Sequence, residues 1–251
     1  YGGAITLDQR LRYNNLILNL DNSSDIASVT ADSLIVFGNL TLTSGDFTFN
    51  DNSATNSVVV EVYGDMTVST GSTVNVGTAN ARHELNLYGD FQNQGAVNFT
   101  NQSTVLSAEA TDGIVDVNLL SPSADQSLSI ENTADFYRIE INKGVDDTYI
   151  ADISATNASF FNIYGPAVTG LSGAQGSTND NALGLIYGTV KIGENITIPR
   201  LNNATYNVFE GARLWVNGGT VLHNDGNALV PYGEILVSAG TLEVLLGNGL
   251  A

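Results

Sequence analysis

The sequence predicts an all-β chain wound as a right-handed parallel β-helix, a β-solenoid of about ten coils of roughly 25 residues with little or no helix. Three observations predict it. A phrase recurs: Leu34-Ile35-Val36-Phe37-Gly38-Asn39-Leu40 returns as Val60-Glu61-Val62-Tyr63-Gly64-Asp65-Met66 and as Leu85-Asn86-Leu87-Tyr88-Gly89-Asp90-Phe91, with the glycines 26 and 25 residues apart. Each copy leads through a polar turn into a second alternating run, at Asp46 to Asn50, Ser72 to Val76 and Gly95 to Thr100. No stretch carries a helical period, whereas alternation in steps of two is frequent. Strands and turns that repeat at this interval are the mark of a solenoid in which each coil is one repeat.

Taken in order, Ala4 to Leu7 and Leu16 to Leu20 alternate as half-buried strands do. The phrase Tyr13 to Asn19 has an echo at Phe136 to Asn142, 123 residues on, which reads as five periods. Asp21 to Asp25 is a polar turn. Residues 1–107 are expected to form regular coils, 108–135 degenerate coils or a projecting loop, and 136–251 less regular coils. Short strands are expected at Ile114 to Leu119 and Leu128 to Ile130. Phe161-Asn162-Ile163-Tyr164-Gly165 returns 76 residues after Gly89, about three periods, and the glycine-punctuated run Ser172 to Asn181 predicts the longest loop. Ile186-Tyr187-Gly188, Leu214 to Gly218 and Val230 to Gly233 repeat the theme at closer spacing, so shorter coils are expected there. The whole reads as one β-helix domain, a segment of a longer chain whose neighbouring domains or caps cover the open strand edges.

Alternation assigns the side chains to faces. Leu34, Val36 and Leu40, with Val60, Val62 and Met66, are expected to point inward. Phe37, Tyr63 and Tyr88 then point outward and stack about 4.8 Å apart, with the following glycine at a corner.

Composition narrows function. The 251 residues hold 43% apolar and only 14% charged side chains, enough for a sizeable core with a polar, turn-rich surface. A formal charge of −18, from 26 acids against 8 bases, argues against nucleic acid or an anionic membrane as partner. Cysteine is absent, so no disulfide or thiolate site is available. No apolar run is long enough to span a bilayer, and Tyr1 to Ala4 does not begin a signal peptide, so any targeting signal is expected outside this sequence.

The wording at Tyr13 to Phe49, Tyr88 to Thr100 and Phe136 to Gly144 ("YNNLILN", "GNLTLTSGDFTF", "YGDFQNQGAVNFT", "FYRIEINKG") resembles the repeats of large secreted surface proteins of the Bacteroidota. Those include gliding-motility adhesins and other cargo of the type IX secretion system. The resemblance implies a parallel β-helix displayed outside the cell, at the cell surface. The sorting domain of that system is not visible in this sequence.

Candidate sites follow from the outward residues. The row Phe37, Tyr63 and Tyr88, continued by Tyr164, Tyr187 and Tyr232, offers rings for stacking sugars; the simpler reading is that the rings stack on one another. Trp215, the sole tryptophan, falls on the outward parity and is the preferred single contact. Asn39, Asp65 and Asp90 follow the corner glycines, and Asp65 with Asp90 would repel unless an amide or a cation intervenes. Calcium is the cofactor such oxygens would hold. Asp21, Asn22 and Asp25, Asp146 and Asp147, and Asn179 to Asn181 are further oxygen-rich turns, though none forms a known calcium loop; turn formation alone explains them.

For glycoside hydrolysis two carboxylates at a set separation are needed, and stacking alone supplies that for Asp65 and Asp90. The bases a polyanion lyase would use, Lys143, Lys191 and the arginines, are scattered, and His83 and His223 stand alone and are expected on the surface. No nucleophile or phosphate motif occurs. The reading is therefore a non-catalytic structural or adhesive module, a stiff spacer or multivalent scaffold. Its expected partners are surface glycans, secretion or cell-surface machinery and neighbouring domains. The alternatives are a carbohydrate-active β-helix enzyme, hydrolase or lyase, and a passive segment of secretion cargo.

Overall fold

The computed structural model of the chain describes residues 3–8, 10–29, 33–49, 56–77, 81–105, 110, 113–165, 181–201, 205–226 and 228–246. Among these there is no helix. Parallel strands stack as a β-solenoid of about eight turns. Each regular coil contributes three short strands, one to each of three faces.

The first face stacks Ala4–Thr6, Ile26–Ser28, Asp46–Thr48, Thr73–Asn75, Ala96–Asn98, Ala134–Phe136 and Phe161–Ile163. The second stacks Arg12–Tyr13, Ser33–Val36, Val59–Val62, Arg82–Leu87, Ile114–Leu119, Arg138–Asn142 and the start of Leu183–Ile192. The third runs through Leu16–Asn19, Leu40–Ser44, Met66–Val68, Phe91–Asn93, Gln126–Ile130, Ile150–Ala155 and the end of Leu183–Ile192, then Ala212–Gly226 and Glu234–Leu246.

The recurring phrase marks the passage from the second face to the third. Leu34, Val60, Leu85, Val117, Ile139 and Leu183 lie in one register column. Leu34, Val36, Leu40, Val60, Val62 and Met66 are all buried, as alternation requires. The corner glycines pack backbone on backbone: Gly64 N–H donates to Gly38 O at 3.0 Å, and a Cβ on Gly89 would lie 2.3 Å from Gly64 O. Phenylalanine rings run through the interior, with centroids 6.1 Å apart for Phe49 and Phe99, 5.6 Å for Phe99 and Phe136 and 5.4 Å for Phe136 and Phe161.

The coils number about eight, close to the ten expected, and their spacing varies: 25 residues separate Leu85 from its lower partner Val60, 32 separate it from Val117 and 44 separate Ile141 from Leu185. Within 108–135 the expected strands are present and in register, as Ile114–Leu119 and Gln126–Ile130. Several expectations are corrected. The echo of Tyr13 to Asn19 at Phe136 to Asn142 is not a structural repeat, since Leu16 stands on the third face and Ile139 on the second. Gly165 likewise sits at the corner between the first and second faces, against Tyr137 O, not beneath Gly89. Alternation has the same period on every face, so an alternating run does not say which face it builds. The last coils are shorter as expected, with 21 residues between Leu214 and Ile235. The expected loop from Ser172 lies outside the described residues up to position 180.

Neither histidine is on the surface. His83 is fully buried against Phe49, and its Nδ1 accepts the Val58 N–H at 3.0 Å. Burial lowers its pKa to about 4, so it is a neutral core residue at pH 7. His223 is also buried, with Nε2 donating to Ala228 O at 3.1 Å.

Candidate functional site: a groove along the third face

The corner from the second face to the third interrupts the ladder of backbone hydrogen bonds, and short oxygen-bearing side chains repair it. Asn15 Oδ1 accepts the Asn39 N–H at 2.8 Å, Asn39 Oδ1 the Asp65 N–H at 3.0 Å, Asp65 Oδ1 the Asp90 N–H at 2.9 Å and Asp90 Oδ1 the Ser127 N–H at 2.7 Å. Each acceptor serves the coil above. Asp65 and Asp90 therefore hold a corner together, a role that accounts for them without a cation. No group of three or more histidines, cysteines or acids is arranged to hold a metal ion among the described residues.

That column does not end at Ser127. Register carries it to Asp152, Lys191, Trp215 and Leu236. The residues singled out for calcium and the single tryptophan thus stand in one line, outward on one face. Two longer corners, 120–125 and 143–149, make their third-face strands start early, at Gln126 and Ile150. Between them lies a groove of about 420 Å³ lined by Asp90, Asp125, Gln126, Ser127, Ile150, Asp152, Lys191 and Trp215. It shares Asp152 and Lys191 with a recess of about 620 Å³ that reaches Ser154, Glu194 and Asn217. It shares Asp90 and Ser127 with another, of about 300 Å³, bounded by Asp65, Thr67 and Gln92.

Two of the four charged residues lining the groove, Asp152 and Lys191, pair with each other. Lys191 Nζ lies 2.6 Å from Asp152 Oδ2 and 5.4 Å from the centre of the Trp215 ring. Trp215 Nε1 donates to Ser238 Oγ at 2.8 Å, and that hydroxyl donates to Asn217 Oδ1 at 3.0 Å. Arg213 bridges Asp147 at 2.5 Å and Glu234 at 2.7 Å. One face of the Trp215 ring is therefore under a lysine, and the ring is held in place by its own N–H.

Behind the groove lies a residue that sequence reasoning counted only among scattered bases. Lys143 is fully buried, and its Nζ donates to Gln126 Oε1 at 2.7 Å. The Gln126 amide in turn donates to Leu87 O at 3.1 Å and Gly89 O at 2.7 Å. Burial lowers Lys143 to about 8, partly opposed by Asp125 and Asp90. The unfolded lysine titrates near 10.5, so folding favours its loss of a proton. The contribution of Lys143 to stability is then most favourable above about 10.5 and falls as the pH drops towards 8, where the folded form also becomes charged. Denaturant titrations should show the wild type gaining about 2 kcal/mol between pH 8 and pH 10. A Lys143→Met variant should lack that gain; an equal gain in the variant would assign it elsewhere. Register explains its place: Asn142 pairs with Tyr187, so Lys143 occupies the register position of Gly188, in the column begun by Gly38, Gly64 and Gly89, an alignment that sequence spacing does not show.

The aromatic row is stacked. Tyr63 and Tyr88 lie 4.5 Å apart with planes 4° off parallel, and Phe37 lies 5.8 Å from Tyr63. The Arg12 guanidinium covers Phe37 at 6.0 Å. The rings turn their faces to one another and leave edges to solvent, with Phe37 49% and Tyr63 43% exposed. Beyond Tyr88 the column passes through Leu120 and Asn142 before reaching Tyr187, so the row is interrupted. Tyr164 does not belong to it; its N–H bonds Phe136 O at the other corner. Tyr232 bonds Val208 O, one position before Phe209, near the upper end of the second face.

The carboxylates of the other oxygen-rich turns accept backbone N–H groups or, at Asp147, pair with Arg213. Asp25 accepts the backbone N–H groups of Gly3 and Asn22, and Asp146 Oδ1 accepts the Thr148 N–H at 2.9 Å. Asn181 is buried, and Asn179 and Asp180 lie outside the described residues. No protein-family model, curated protein or solved structure matches this chain.

Proposed function

We propose that the chain is a non-catalytic structural and adhesive module of a secreted cell-surface protein: a stiff spacer whose third face makes many weak contacts with surface glycans. The observation that carries this reading is the repetition on that face. Thr67, Gln92, Ser129 and Ser154 stand outward in successive coils beside Asp65, Asp90, Ser127 and Asp152. Hydroxyl, amide and carboxylate groups repeated at the strand spacing suit a long polar ligand lying along the axis better than a small one in a single pocket. Placement outside the cell rests on the resemblance to secreted repeat proteins of the Bacteroidota.

A carbohydrate-active enzyme is the second reading, and Lys143, with its pKa near 8 beside Asp90 and Asp125, is what favours it. It is the weaker one, because Lys143 has no exposed surface and Asp152 is paired with Lys191.

A glycan-array screen of the purified chain, run with calcium and again with EDTA, tests the adhesive reading. Binding should be saturable and should weaken about tenfold in Trp215→Ala, a loss of about 1.4 kcal/mol, while Tyr63→Ala binds as the wild type does. Loss in Tyr63→Ala alone would move the contact to the aromatic corner. Dependence on calcium would bring back a cation bridge at Asp65 and Asp90. Silence in both conditions would leave a spacer with no lectin face.

A further inference from the structure

The three recesses of the third face run on from one another. The groove at Trp215 shares Asp152 and Lys191 with the recess towards Asn217, and Asp90 and Ser127 with the one towards Asp65. Together they make one channel parallel to the axis of the stack. It follows the column Asp65, Asp90, Ser127, Asp152, Lys191 and Trp215, six coils long. At the strand spacing that column spans about 24 Å.

Charge in the channel is one-sided. Asp65, Asp90, Asp125, Asp152 and Glu194 line it against one base, Lys191, a net −4. Lys191 is taken by Asp152. Asp65, Asp90, Asp125 and Glu194 are exposed and enter no ion pair among the described residues. Three of these carboxylates are fixed by a backbone N–H: Asp65 by that of Asp90, Asp90 by that of Ser127, and Asp125 by that of Ile150, which Oδ1 accepts at 2.8 Å. Each keeps its second oxygen without a hydrogen bond from a described residue. A recess lined by one sign of charge concentrates its field, draws in cations and repels polyanions. A neutral ligand gains little from that field.

The rest of the face selects among cations. From Met66–Val68 to Ala212–Gly226 every strand of the third face pairs on both sides, so no open edge offers backbone hydrogen bonds to an extended peptide. Thr67, Gln92, Ser129 and Ser154 instead present hydroxyl and amide groups beside the carboxylates, and the Trp215 ring adds an apolar surface next to Lys191. Sugar rings, apolar on their faces and polar at their rims, use both kinds of surface. In an extended β-linked glycan each ring advances by about one coil spacing, so successive sugars meet the column coil by coil.

We infer that this channel takes a linear cationic polysaccharide, a chain of free amino sugars lying along the stack axis with about one sugar to each coil. Its ammonium groups meet Asp65, Asp90 and Asp125, and its hydroxyls meet the flanking Thr67, Gln92 and Ser129. The inference rests on the glycan-binding reading and adds the class of glycan.

Titration calorimetry on the whole chain, in mildly acidic buffer where sugar amines are protonated, tests it with β-linked glucosamine oligomers of increasing length and their N-acetylated counterparts. The amino oligomers should bind about tenfold more tightly, weaken as salt is added, and gain affinity with length up to about six sugars. Asp125→Asn, which keeps the oxygen that the Ile150 N–H uses, should weaken the amino oligomers about threefold and leave the acetylated ones unchanged. Glu84→Gln, the same change of charge at an exposed position on the second face, should alter neither. Should Asp125→Asn fail to fold, Glu194→Gln serves as the channel variant. Acetylated oligomers that bind as tightly as the amino ones would overturn the cationic class and leave a glycan-binding face in place. Oligolysine of matching charge that binds as tightly as the amino oligomers, or a Glu84→Gln loss equal to that of Asp125→Asn, would mean attraction to any polycation and overturn it too. Binding of neither oligomer would overturn the inference, and silence on the glycan array as well would remove the adhesive reading with it.

Discussion

Gly89→Ala is expected to cost about 3 kcal/mol of stability, although it adds one methyl group. The new Cβ would lie 2.3 Å from Gly64 O and 2.4 Å from Gly64 C, both backbone atoms of the adjacent coil. Those atoms belong to a stacked corner in which Gly64 already rests on Gly38 and neither can swing aside. The coils must spread, which lengthens hydrogen bonds on the two faces that meet there. Gly71→Ala is the informative control. Gly71 has φ +84°, and no atom lies within 4 Å of where its methyl group would sit, so only the left-handed backbone resists the change, at about 1 kcal/mol. Guanidinium denaturation of both variants checks the difference. Equal losses would mean that close approach at the corner is not what requires glycine at position 89.

Phe99→Ala should be costlier still, at about 4 kcal/mol. Phe99 is completely buried and contacts the rings of Phe49, Phe91 and Phe136. Register places it between Val76 below and Phe136 above in one inward column. Removing a ring from such a column leaves a cavity that neighbours tied into three sheets cannot collapse to fill. Because backbone pairing joins each coil only to its immediate neighbours, the damage should also uncouple the two halves of the stack. The variant's denaturation curve should broaden or split into two transitions. Phe37→Ala, at the exposed end of the outward row, should lose only about 0.5 kcal/mol and keep a single transition. Similar losses at both positions would contradict the division into an interior and an outward row of rings.

How far the fold was legible in the sequence can be seen at Leu34, Val60 and Leu85. Three copies with almost constant spacing sufficed to place their strands, the inward residues and the corner glycines. The same method failed at Phe136 to Asn142 and at Gly165, where it matched segments belonging to different faces. Alternation identifies a strand and its buried side; the face depends on every corner before it. His83 was misjudged for a related reason. Its neighbours Arg82 and Glu84 are polar, but parity turns them outward and turns the ring between them into the core.

By itself the sequence determined that the chain is all-β, that its first coils recur at intervals near 25 residues, and that their strands bury one side and turn at glycine. These are local properties, set by side-chain period and by the absence of a Cβ. Only the tertiary structure decided that Asp90, Ser127, Asp152, Lys191 and Trp215 form one line, and that Lys143 is sealed behind it. Their separations in sequence are unequal because successive corners have different lengths. What aligns them is the hydrogen-bonded register between coils, which counts strands and is indifferent to the residues spent between them.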